Sequence, residues 1–139
     1  MNLSQFRVPC YKSDGLFDEL TNLRTVKLNG NKLKTLPDEL FKKSTKLSEI
    51  RLADNQLSSI NETVFGDGEL SFLKVLSLNS NYLRMLPGNL FSGMLCLEFL
   101  HLQYNKIISL NGSLLRNLTS HLCKSKRQLF DYFIGRNCP

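Results

Sequence analysis

Imidazoles, thiols and carboxylates do most of the chemistry available near neutral pH, and this sequence spaces them too thinly for a reaction. His101 and His121 are its two histidines, with no Gly-rich phosphate loop, His-Glu-x-x-His run or Gly-x-Ser-x-Gly elbow. His121 and Cys123 offer two metal ligands, but a zinc site needs a second pair and none is suitably spaced. Cys10, Cys96, Cys123 and Cys138 are scattered without a Cys-x-x-Cys pair, which neither requires zinc nor fixes a disulfide framework. A bond between Cys123 and Cys138 could tie the C-terminal segment to itself. Glu49, with Arg51 and Lys27 nearby, reads as a surface charge group. The expectation is a non-catalytic chain with no cofactor and no metal.

Four Asn-x-Ser/Thr triplets, at Asn2, Asn61, Asn111 and Asn117, are glycan acceptors in a secreted protein. They lean towards an extracellular or cell-surface setting, although about two would arise by chance in such a composition. The 139 residues are 42% hydrophobic and 22% charged, an ordinary globular balance for one domain. A net charge of +6 favours anionic partners weakly, because lysines spread over a solvated face give the same total. No run approaches the roughly 18 apolar residues that span a bilayer. The opening MNLSQFRVPC holds no signal-peptide apolar stretch, so this stretch by itself is not expected to direct secretion.

Self-similarity settles what positions these residues. LRTVKLNGNKL from Leu23, LSEIRLADNQL from Leu47, LKVLSLNSNYL from Leu73 and LEFLHLQYNKI from Leu97 align in register. Each fits L-x-x-L-x-L-x-x-N-x-L, and Asn31, Asn55, Asn81 and Asn105 follow one another at 24, 26 and 24 residues. The extra two residues fall around Gly66-Asp67-Gly68. Each segment runs on to a column of Phe41, Phe65, Phe91 and Leu115, and Leu16-Phe17 lies one period upstream. Val26 and Leu28 point into a core while Lys27 points out, so each repeat supplies one short strand. The stacked strands form a parallel sheet. The asparagines can satisfy backbone groups at the turn, and bulky phenylalanines on the return side curve the stack.

The period and the LxxLP-x-x-x-F endings resemble the typical, 24-residue subclass of leucine-rich repeats, found mainly in animal extracellular proteins. Toll-like receptors, Slit-like guidance proteins and small leucine-rich proteoglycans are examples. That resemblance implies an α/β fold: a right-handed solenoid with a short parallel sheet on its concave face and an irregular or 3-10 convex side. It also implies a protein or glycan ligand, most often on the concave sheet. Extracellular members usually carry cysteine-rich caps, and the ends here depart from them, so the chain is expected to be a piece of a longer protein. The expected division is 1–22, an N-terminal partial repeat and improvised cap; 23–118, four repeats (23–46, 47–72, 73–96 and 97–118); and 119–139, a C-terminal cap.

Outward-facing strand positions form the columns that could recognise a partner. They are Thr25, Glu49, Val75 and Phe99; Lys27, Arg51, Ser77 and His101; Asn29, Ala53, Asn79 and Gln103; flanked by Gly30, Asp54, Ser80 and Tyr104. Lys27, Glu49 and Arg51 charge one end, and Phe99, His101 and Tyr104 furnish an aromatic end suited to a binding hot spot. Phe99 and Tyr104 could instead pack on the C-terminal segment. A protein ligand is the first expectation, with an acidic protein patch or a sulfated glycan for the basic column, and no nucleic-acid partner. A matrix protein and a cytosolic adaptor are the rival settings. At the C-terminus, Leu122, Leu129, Phe130, Phe133 and Ile134 share one helical face between Ser120 and Gly135, which suits a capping helix. A basic membrane-surface helix through Lys124, Lys126 and Arg127 is its rival. Leu3, Phe6, Val8 and Tyr11 would make a rough N-terminal lid, where self-association is expected.

Overall fold

The computed structural model describes residues 17–66, 68–114 and 116. The N-terminal lid, the C-terminal helix, Cys10, Cys123, Cys138, His121 and the sequons at Asn2 and Asn117 lie outside the described residues.

Each repeat contributes one three-residue strand: β1 Thr25–Lys27, β2 Glu49–Arg51, β3 Val75–Ser77 and β4 Phe99–His101. They form a four-stranded parallel sheet in sequence order, as expected of coils stacked one on the next. The register places Thr25, Glu49, Val75 and Phe99 side by side, and likewise Lys27, Arg51, Ser77 and His101. Between these two rows, Val26, Ile50, Leu76 and Leu100 point inward and are buried. Alternation along an extended backbone puts neighbours on opposite faces, so one inward residue anchors every strand.

The ladder outlasts the strands. Leu28, Leu52 and Leu78 donate their N–H groups to Arg51, Ser77 and His101 at 2.8 Å, and Gly30, Asp54 and Ser80 donate to Ala53, Asn79 and Gln103. The chain then bends through a left-handed residue in every coil, with φ of 67° at Gly30, 56° at Asp54, 55° at Ser80 and 57° at Tyr104.

The next residue holds the bend. Asn55 Nδ2 donates to Leu28 O (2.9 Å) in the coil before and to Leu52 O (3.0 Å) in its own, while its Oδ1 accepts from Leu33 N–H (3.1 Å). Asn81 does the same with Leu52 O, Leu78 O and Leu57 N–H, each at 3.0 Å. Asn105 repeats it with Leu78 O, Leu102 O and Leu83 N–H. Backbone groups that a three-residue strand leaves open are thereby paired inside the core.

The return side runs through short turns closed by bonds three residues apart, such as Lys42 N–H to Glu39 O and Ser92 N–H to Asn89 O. The fourth repeat has a helical turn at 112–114 instead. Phe17, Phe41 and Phe65 stack ring on ring, with centroids 5.7 and 5.9 Å apart. Phe91 is buried in the same column. The aligned core residues Ser44, Leu70 and Met94 lie 26 and then 24 apart, so the two extra residues sit between Phe65 and Leu70, on the convex side. Among the described residues, no helix is long and apolar enough to cross a membrane.

Candidate ligand-binding face

The sheet gathers most of the outward residues expected to bind, and it does so unevenly. At the N-terminal end Lys27 is exposed, and Glu49 accepts a hydrogen bond from Arg51 Nε within the same strand. This pair spends one cation on its own carboxylate and leaves a face of mixed sign. In the middle Val75 is half-buried, while Ser77 and Ala53 are each only 7% exposed. Ser77 stands between Arg51 and His101 in the register, and those larger side chains rise on either side of it. The third coil therefore forms a shallow floor.

The fourth coil rises from that floor as an aromatic wall. Phe99 is 54% exposed and Tyr104 80%, with half-buried His101 and Gln103 between them in sequence. Strands stack about 4.8 Å apart, so Phe99 lies roughly 10 Å from Glu49 across the sheet. A large apolar surface beside hydrogen-bonding side chains suits a protein epitope that inserts a side chain and satisfies polar groups around it.

Tyr104 stands out for its backbone. Left-handed φ costs an L-residue about 1–2 kcal/mol, least for Gly and little for Asn or Asp. Gly30 and Asp54 suit that conformation, whereas a bulky tyrosine does not. Its exposed ring gains little burial to offset the strain.

Sequence reasoning passed over the column after the asparagines. There the Lys106 ammonium lies over the Tyr82 ring, 5.0 Å from its centroid, and Tyr82 is 49% exposed. The alignment of Lys32, Gln56, Tyr82 and Lys106 at one repeat position was the available signal. Two of the sequons are also placed. Asn61 and Asn111 are exposed at the start of the convex turns, where their Oδ1 atoms accept from Thr63 and Ser113 N–H. Cys96 is a half-buried free thiol. Among the described residues no group of His, Cys, Asp and Glu side chains is arranged to hold a metal ion.

Comparison with known proteins agrees with this geometry. The leucine-rich-repeat family profile matches residues 21–73 and 45–107. In structure the chain resembles TLR13 in its complex with ssRNA13, at 31% identity over 73% of this chain and a TM-score of 0.64. It also resembles the Toll–Spatzle complex of Drosophila (25% identity, 76% of this chain, TM-score 0.58) and a leucine-rich-repeat protein of Leptospira interrogans (25%, 73%, 0.56). The chain spans 15%, 17% and 24% of those three structures' lengths respectively. No protein of curated function matches it in sequence. A parallel four-stranded stack, an asparagine in every bend and a family profile covering most of the repeats lead to one assignment: the chain belongs to the leucine-rich-repeat family.

Proposed function

We propose that this chain is the protein-recognition segment of an extracellular receptor or secreted binding protein, with its contact surface on the concave sheet. The observation that carries the proposal is the exposed aromatic wall of the fourth coil, in which Tyr104 stands 80% exposed beside the sheet. Phe99 and His101 extend the same wall, and Lys27, Glu49 and Arg51 provide charge selection at the other end. Val75 and Ser77 line the ground between, and Gln103 lies within the fourth coil beside the aromatic wall.

The relatives support a receptor setting of the innate-immune type, one being a complex with a protein, Spatzle, and another a complex with an RNA. For the concave face a protein is favoured over an RNA or a sulfated glycan. Binding a polyanion rests on cations free to meet phosphate or sulfate, and Arg51 is committed to Glu49. An extracellular setting is supported by the exposed sequons. Protein from a secretory host should carry glycans on Asn61 and Asn111, read by mass spectrometry of the tryptic peptides; two bare sites would favour a cytosolic adaptor instead.

The face itself is tested with F99A, Y104G and the convex-side control E62A, each immobilised and offered the surface and secreted proteins of the source tissue. Hot-spot residues cost about 2 kcal/mol or more on truncation, so F99A and Y104G should each lower retention of a bound protein more than about tenfold. E62A should retain it like the parent chain. Y104G should melt no lower than the parent, because relief of the strain offsets the extra freedom of glycine in the unfolded chain. Equal retention by all four proteins would sink the proposal.

A further inference from the structure

A second surface lies beside the sheet, where each coil leaves its asparagine and climbs towards the convex side. The four stretches are 32–35, 56–59, 82–85 and 106–109. They stack in register: Gln56, Tyr82 and Lys106 donate their N–H groups to Leu33, Leu57 and Leu83 of the preceding coils at 2.8–2.9 Å. None of the four contains an aspartate or glutamate, yet together they carry Lys32, Lys34, Arg84 and Lys106, all exposed. The ion pairs among the described residues lie elsewhere, on the concave strand (Arg51–Glu49), the convex turns (Lys42–Glu39, Lys43–Asp18) and the opposite edge (Lys74–Glu98). Segregated charge of one sign raises the local concentration of oppositely charged partners.

The same strip is unusually apolar for a solvated edge. Ile108 is 87% exposed, Met85 71% and Tyr82 49%. They belong to the third and fourth coils, so the apolar groups concentrate around Arg84 and Lys106.

We propose that this lateral strip is a docking site for an acidic protein segment that also carries apolar side chains. Charge complementarity names the acidic component, and the exposed Met85 and Ile108 name the apolar one. A sulfated glycan or a nucleic-acid backbone would meet the cations and leave those side chains unmatched. A second copy of this chain is disfavoured, because a symmetric contact through the strip would set its cations against each other. The strip runs three coil spacings, about 14 Å, which four or five extended residues span. The occupant is therefore a short linear segment or the edge of an acidic loop. This reading is independent of the concave face.

The test uses the full chain and fluorescence anisotropy with four probes. These are a peptide alternating Glu and Asp with Leu and Tyr, a poly-Glu peptide of equal charge, a heparin oligosaccharide and an oligouridylate. The mixed peptide should bind more tightly than the other three and should weaken as salt rises. R84E/K106E should weaken it by about tenfold or more, and M85S/I108S should reduce it to the poly-Glu level. K32E/K34E, on the first coil, supplies a second reversal that leaves the Lys106–Tyr82 contact in place. F99A and Y104G should bind the peptide like the parent chain, which separates this surface from the concave one. The proposal is overturned if both reversals leave peptide binding unchanged in protein of parental melting temperature. It is equally overturned if poly-Glu, heparin or oligouridylate binds as tightly as the mixed peptide.

Discussion

Replacing Asn81 by alanine should lower the unfolding free energy by about 2–4 kcal/mol, a large share of what a domain of this size possesses. The amide is 3% exposed and serves two coils at once. Its loss strands the N–H of Leu57, whereas Leu52 O and Leu78 O each lose one of two donors and keep the amides of Asn55 and Asn105. Each buried group left unpaired costs about 1–3 kcal/mol, and the costs do not simply add, because one relaxation or one water can serve several groups. Asn105 is the internal comparison. It makes the corresponding three contacts, and its loss takes the amide partner from Leu83 N–H and Leu102 O. It is only half-buried, so solvent can replace part of what is lost, and N105A should cost about 1–2 kcal/mol. Urea unfolding followed by circular dichroism reads both. Equal losses in the two variants would mean that burial does not set the value of this ladder; a loss below about 1 kcal/mol for N81A would mean the ladder is dispensable.

The comparison of sequence with structure turns on what a repeat position encodes. A leucine period encodes burial, and burial sets register, so the alignment of Thr25 with Glu49, Val75 and Phe99 was legible before any coordinates. The bend one position before each asparagine was not. Gly30 hints at a left-handed residue, but Ser80 and Tyr104 carry no such hint, because the stacked backbone imposes the conformation whatever side chain is present. The concave columns were readable as outward-facing, whereas the burial of Ser77 depends on the size of Arg51 and His101 beside it. Pointing out and being reachable are different properties. The Lys106–Tyr82 contact escaped for a related reason: charged positions next to a turn read singly as solvated, and only stacking shows that a cation lies over a ring one coil away.

Gly93 carries the other large expected effect, and its neighbour is 25 residues away. Gly93 has φ of 80°, and a Cβ built there would stand 2.9 Å from the carbonyl carbon of Gly68, closer than real Cβ atoms come, and 3.0 Å from its oxygen. Gly68 belongs to the two-residue insertion, so the extra length of the second repeat is folded down onto the turn of the third. Left-handed strain alone does not forbid a side chain, since Asp54, Ser80 and Tyr104 all carry one at positive φ. Gly30 isolates that contribution: its φ is 67° and a Cβ there meets nothing within 4 Å. G30A should therefore cost only about 1–2 kcal/mol. G93A adds the displacement of backbone, which cannot rotate aside as a flexible side chain can, and should cost about 3–4 kcal/mol in all. Differential scanning calorimetry of the two variants measures the gap. If it vanishes, the insertion yields freely and is an ordinary surface loop. If it holds, the insertion is packed against the convex wall. It then lengthens the return side of one coil while leaving the register of the binding sheet undisturbed.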